Sequence, residues 1–442
     1  MGFTTAPIIL GIDATPSGGA CLLRGDEIVV AIQEERLSRV EGDPIRASLP
    51  FLALSYCLGA AGVEPGDVDL VVCRSDGPSA EWPHDVTLNP MLQVAHRRLA
   101  WMAIEAHEAF PGRQASPGHV ASSGHGASLG HEASSGRLAA AVHEPDAGVT
   151  VARRGLEEKF PEAGTGALRG RPMGRNYADA EVLEAIAGVP GIAATHRGEG
   201  VVDAAAEKLH AGEAVAWFEG PSVVRPGVAG RVILSERGWK PLPSSLDRQR
   251  TFVPFADELG PQRTRLRRLL ARLIEGPMEP TVYGAPFRAA REPIAETPAD
   301  ALWTFLHLEL DACVLDDYLV ERRGALRSLL DLVPTLNDVE CAISGGCRPE
   351  AIDGGWATRR VAAEVTTPWG ATSRVLHPLQ LALLSAIDGG STGWQLLEQL
   401  GARRRSRIDA HRLRDGLAEL RRLGLVSLAD PESGAPSAAG GR

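Results

Sequence analysis

Apolar, β-branched residues fill positions 8–12, and the apolar run resumes at 20–23 after Pro16, Ser17, Gly18 and Gly19. Gly25 and Asp26 signal a tight turn, and 27–32 reads as the returning strand. Positions 44–62 carry apolar residues at helical spacing and end on a glycine. A short buried strand is predicted at 69–73. Strand and helix alternate here, so an α/β layered domain is expected.

The pattern then breaks. Residues 111–136 are low in complexity and rich in Gly, Ser and Ala. Such a run buries too little apolar surface to offset its ordering entropy. A linker is expected there, continuing to about 173. Periodicity returns with helices at 179–187 and 202–211, a strand at 214–218 and a basic amphipathic helix at 264–275. Thr297 and Pro298 mark a helix start, with a capping hydroxyl and a proline at the first helical position. That helix should run to about 309, followed by strand or extended chain over 313–320. The last segment predicts helices at 378–387, 393–400 and 410–423, the third with Leu413, Leu417, Leu420 and Leu423 on one face. A short strand should follow Gly424. Three helices and a strand suggest a winged-helix-like unit over 368–428, with a disordered tail over 429–442.

Composition narrows the function classes. Among 442 residues the hydrophobic fraction is 44%, ordinary for a globular protein, and the net charge is -10. An acidic balance argues against bulk nucleic-acid binding, which needs clustered Lys and Arg. Six scattered cysteines, Cys21, Cys57, Cys73, Cys313, Cys341 and Cys347, read as reduced thiols in a cytoplasmic protein. The first seven residues lack the basic and apolar regions of a secretory signal, and no run is long enough for a membrane helix.

Four segments carry a resemblance to a known family. They are 11–43, with Glu34, Glu35, Arg36 and Arg39; 174–186; 214–234; and 291–320, the most specific. Together they resemble bacterial O-carbamoyltransferases of the nodulation and antibiotic-tailoring type, which serve secondary metabolism. The resemblance implies an α/β protein with a partial Kae1-like lobe over 1–110, of actin and sugar-kinase-like fold. A linker over 111–173 would lead to a reduced YrdC-like domain over 174–335. In the family, carbamoyl phosphate and ATP give carbamoyl adenylate in the YrdC-like domain. The Kae1-like domain passes the carbamoyl group to a small-molecule hydroxyl, using a divalent metal, iron or magnesium.

Against that pattern the sequence departs at the polar positions. The family's early histidine falls near Thr15 or Pro16. Its metal-binding histidine pair has no clean counterpart; His119, His125 and His131 recur in the low-complexity run as alternative ligands. The glycine-rich anion motif aligns with 225–230, placing its arginine at Gly227. Arg225, Arg231, Arg250 and Arg288 stand near enough to serve as substitute anion binders, or to be solvated surface charges. Asp13, after Gly11 and Ile12, resembles the residue that positions hydrated Mg²⁺ in the first phosphate loop of the superfamily. Apolar framework positions such as Trp217, Phe218 and Trp303 are kept, as burial alone would ensure.

Three functions therefore compete. The chain is an O-carbamoyltransferase; or a degenerate enzyme acting as a binding or regulatory partner of a full-length paralogue; or its arginine-rich C-terminal unit contacts DNA or, as the favoured alternative, protein.

Overall fold

The computed structural model describes residues 6–14, 18–40, 50–75, 100–105, 152–153, 174–222, 230–235, 251–252, 264–274, 283–289, 292–324, 326–337, 351–352, 355–356, 361–367, 370–376, 378–403 and 408–431. The chain divides into two compact units. The first takes in Met1–Glu35 and Gly42–Met173; the second takes in Arg36–Glu41 and nearly all of the chain from Gly174 onward. Both are mixed α/β.

In the first unit, β1 (Ile8–Asp13), β2 (Gly19–Arg24) and β3 (Glu27–Gln33) form an antiparallel meander. Helix α1 (Glu34–Ser38) follows directly, and the boundary between the units falls inside it, after Glu35. Helix α2 (Phe51–Ala61) packs on β2 and β3. Beyond it, β4 (Leu70–Ser75) and β5 (Ala100–Glu105) extend the sheet in parallel, giving the order β3-β2-β1-β4-β5. Glycine is required at Gly19, where an added Cβ would lie 2.1 Å from the Ile32 carbonyl oxygen. Helix α2 starts later than its apolar spacing suggested, with 41–49 outside the described residues. It ends at Gly62, whose φ of 60° turns its N–H back onto the carbonyls of Gly59 and Leu58.

The second unit is built on a sheet ordered β6-β12-β11-β7-β8-β10-β9. In chain order its elements begin with α3 (Asp179–Ala187), β6 (Ile192–His196), α4 (Val201–His210), β7 (Val215–Phe218), β8 (Arg231–Ser235) and β9 (Thr251–Phe252). They continue with α5 (Thr264–Ile274), β10 (Tyr283–Pro286), α6 (Pro298–His307), β11 (Ala312–Leu315) and β12 (Tyr318–Arg322). Then come β13 (Val333–Leu336) and two hairpins, β14 (Ala351–Ile352) with β15 (Gly355–Trp356) and β16 (Val361–Thr367) with β17 (Gly370–Leu376). Helices α7 (Pro378–Leu384), α8 (Gly393–Arg403) and α9 (Ala410–Arg422) and strand β18 (Val426–Ala429) complete it.

Strands β7 and β11 run parallel at the centre, and every residue of both is buried. Continuous apolar strands of this kind are covered on both faces. Val215, Trp217, Val232, Leu234 and Val314 face α4 and α5. Ala216, Phe218, Ile233, Cys313 and Leu315 face α3, α6 and the C-terminal helices, in one continuous core that includes Leu413, Leu417 and Leu428. The alternation of period two along β7 thus assigns neighbouring residues to separate cores.

Several expectations hold. Helix α3 covers the predicted span, α6 begins at Pro298, and Thr297 accepts the Asp300 N–H at 3.0 Å. The stripe Leu413, Leu417, Leu420 and Leu423 is buried. Where one extended stretch was expected over 313–320 there is a hairpin, because Asp316 takes φ 48° and the Gly220 N–H donates to its carboxylate at 3.2 Å. Cys21, Cys57, Cys73 and Cys313 are buried and outside any disulfide; Cys341 and Cys347 lie outside the described residues. Among the described residues no helix is long and apolar enough to cross a membrane.

Because Leu417 sits on α9 yet belongs to the core of the sheet, Leu417→Ala should cost about 2–5 kcal/mol. Denaturant melts followed by far-UV and tryptophan signals should shift together. A shift confined to the far-UV signal would mean that the C-terminal helices fold apart from the sheet.

Candidate functional site

Two polar clusters stand out in the second unit. The first lies at the carboxyl end of β7. Burial forces each charge there to find a partner. Glu219, just past the strand, accepts from the Trp217 indole Nε1 at 3.0 Å and from the backbone N–H groups of Arg265 and Leu266 at 3.2 and 3.0 Å. Those N–H groups open α5, so Glu219 caps that helix from another element. Arg231, only 1% exposed, donates to the carbonyls of Glu219 (2.9 Å), Gly230 (3.0 Å) and Gly220 (2.6 Å). Its guanidinium also lies 3.3 Å over the centre of the Phe218 ring. Arg231 is therefore no solvated surface charge: it clamps the turn after β7. Burial pushes the Asp316 carboxyl above its ordinary range, against the opposing pull of the Gly220 N–H and Arg231.

Beside this turn, fully buried Glu296 accepts from the Ser222 hydroxyl and stands 3.8 Å from Arg36. Tyr177 sits 6.2 Å from Phe218, and the Arg175 guanidinium lies 4.3 Å from its ring centre. Burial, reinforced by the Glu296 charge, raises the Tyr177 phenol well above its usual value. Its hydroxyl is buried without a hydrogen-bond partner among the described residues. Among the described residues the ionisable groups of this cluster meet both backbone and side-chain partners of the protein itself.

The second cluster is a cleft between α6 and α9. Arg39 has φ 59°, a conformation arginine rarely adopts. That turn aims its side chain at the segment before α6, where it donates to the Ile294 carbonyl at 2.7 Å and pairs with Glu292 (3.5 Å) and Asp300 (3.4 Å). Arg422 pairs with Glu292 and donates to the Arg39 carbonyl at 3.2 Å. His307 Nε2 meets Asp415 at 2.8 Å, and His411 approaches the same carboxylate at 3.2 Å. Burial pushes the Asp415 carboxyl up, but the His307 hydrogen bond and the charges of His307, His411 and Arg414 win and hold it below its ordinary value. Arg421 lies 3.7 Å over the Trp303 ring.

Of the sequence-derived site residues, Asp13, Arg231 and Arg288 are described. Asp13 is buried at the end of β1 in the first unit. Arg231 and Arg288 belong to the second unit, where Arg288 donates to the Glu292 carbonyl at 3.1 Å. Arg225, Arg250, His119, His125 and His131 lie outside the described residues. So do Thr15 and Pro16, near Asp13. Among the described residues no three His, Cys, Asp or Glu side chains are grouped to hold a metal. The pairing of Arg36 and Arg39 with Glu292, Glu296 and Asp300 escaped sequence reasoning, though every member lies in a segment singled out for its resemblance.

No family model matches the chain. It is similar to the uncharacterized protein sll1178 of Synechocystis, 43% identical over 65 residues, covering 14% of this chain and 10% of that protein. The match thus spans about a tenth of the relative's length.

Two outcomes follow from the geometry. Glu219→Ala strips acceptors from two helix-opening N–H groups and a buried indole, and should destabilise the protein by about 2–4 kcal/mol in denaturant titration. The Asp415 carboxyl has a lowered folded pKa, so its stabilisation is complete above the unfolded value near ~4 and is lost as pH falls through the folded value. Asp415→Asn should lower the neutral plateau of the stability–pH curve and flatten its acid limb below about pH 4. An unchanged acid limb would show that the pairing contributes nothing.

Proposed function

We propose that the chain is a shortened, divergent member of the O-carbamoyltransferase family that acts by binding. In this reading the family reaction, ATP-dependent transfer of a carbamoyl group from carbamoyl phosphate to a small-molecule hydroxyl, is impaired or lost. The chain works instead as a non-catalytic or regulatory partner, with a full-length paralogue as its counterpart. The 1–110 segment would be the Kae1-like remnant and the 174–335 segment the reduced YrdC-like domain.

One observation carries the proposal. Among the described residues, Arg231 is committed to three carbonyls, and Arg36 and Arg39 to carboxylates of the segment around α6. A pocket that activates a phosphate needs guanidinium donors aimed at the ligand. The same bonds explain why the Glu34, Glu35, Arg36 and Arg39 motif persists beside the 291–320 segment, since each arginine has its carboxylate partner there.

Adenylate formation from ATP releases pyrophosphate, so turnover is measurable without knowing the acceptor. Purified protein given ATP, Mg²⁺ and carbamoyl phosphate should release no pyrophosphate above a protein-free control. Release that depends on carbamoyl phosphate and persists through purification would return the chain to the active enzymes.

A further inference from the structure

The cleft between α6 and α9 contains a charge imbalance. Three guanidiniums line it, those of Arg39, Arg421 and Arg422, against the carboxylates of Glu292 and Asp300. Arg39 and Arg422 share Glu292, and Arg39 also reaches Asp300. Next to them, His307 meets Asp415 at 2.8 Å and stands 3.9 Å from Glu292, with no contact to Arg421 among the described residues. Arg421 is left over. Among the described residues no hydrogen bond or ion pair reaches its guanidinium, whose one close contact is the Trp303 ring at 3.7 Å.

A cation–π contact uses the flat face of a guanidinium and leaves its N–H donors, which lie in the plane, for another acceptor. The surroundings also disfavour the charge. Burial, with the neighbouring Arg422, pulls Arg421 down to about 9 against the attraction of Asp300 and Glu292. An anion beside a half-buried guanidinium would form charge-assisted hydrogen bonds with those donors.

The size and the charge of the cleft agree. The cavity is about 30 Å³, space for roughly two water-sized groups, as in the two oxygens of a carboxylate. One surplus positive charge calls for one negative charge. We infer that this cleft binds a monoanionic carboxylate head group, gripped by Arg421 against the Trp303 ring. The body of the ligand, a small organic acid or a peptide C-terminus, would extend out of the cleft. The inference is independent of the family reading, since it uses only the contacts within the cleft.

Isothermal titration of the full chain tests this, with acetate, inorganic phosphate, and an acetylated tripeptide in free-acid and amide forms. Acetate should bind at pH 7.5, and Arg421→Gln should weaken it on the order of tenfold. A tripeptide acid that binds more tightly than both acetate and its amide identifies a peptide terminus; equal binding of acid and acetate identifies a small acid. Undetectable acetate binding, unchanged affinity in Arg421→Gln, or tighter binding of phosphate than of acetate would each overturn the inference.

Discussion

Buried charge is the constraint on which the second unit is organised. Arg36, Arg39, Glu292 and Glu296 are all nearly sealed from solvent, and an isolated charge in that setting costs several kcal/mol. Each therefore requires its counterpart, and the counterparts lie more than 250 residues apart in the chain. This explains why Arg36–Glu41 belongs to the second unit while the strands just before it belong to the first. It also explains the left-handed backbone at Arg39, a local strain held by three polar contacts. Burial of such pairs gives little net stability compared with apolar packing, but removing one partner leaves the other stranded. The pairs act chiefly as a lock on register between the 36–41 segment, the approach to α6 and the end of α9.

The same rule governs the turn after β7. Ligand sites in α/β folds gather at the carboxyl ends of parallel strands, and β7 and β11 present theirs side by side. Here that position is occupied by the protein itself: Glu219 caps α5, Arg231 binds the turn carbonyls, and Asp316 closes the β11–β12 hairpin. These charged groups meet backbone N–H and carbonyl groups of the turn and of α5.

Much of the architecture was legible in the chain. Helix α3 follows from apolar spacing, and α6 from a capping threonine before a proline, because these signals act within a few residues. The leucine stripe of α9 reveals its buried face for the same reason. The β11–β12 hairpin was missed because its turn depends on Asp316 finding the Gly220 N–H, a contact nearly a hundred residues away. Arg231 was weighed between anion binder and surface charge, and its aromatic stack and three carbonyl acceptors exist only after β7 and β8 pair. In the site, the sequence marked Arg36, Arg39 and the 291–320 segment as kept, but spacing carries no information on pairing across such a distance. The cleft was illegible because Arg421 and Trp303 lie on helices whose meeting is a tertiary event.

The most direct test of the account is a double-mutant cycle on Arg39 and Glu292 in the full chain, with Arg39→Met, Glu292→Leu and the pair, measured by reversible denaturant unfolding. A lock of paired buried charges predicts that the double variant is more stable than the summed single losses imply, with a coupling of about 1–3 kcal/mol. Additivity within about 0.5 kcal/mol would contradict it and reduce the pair to two independent side chains.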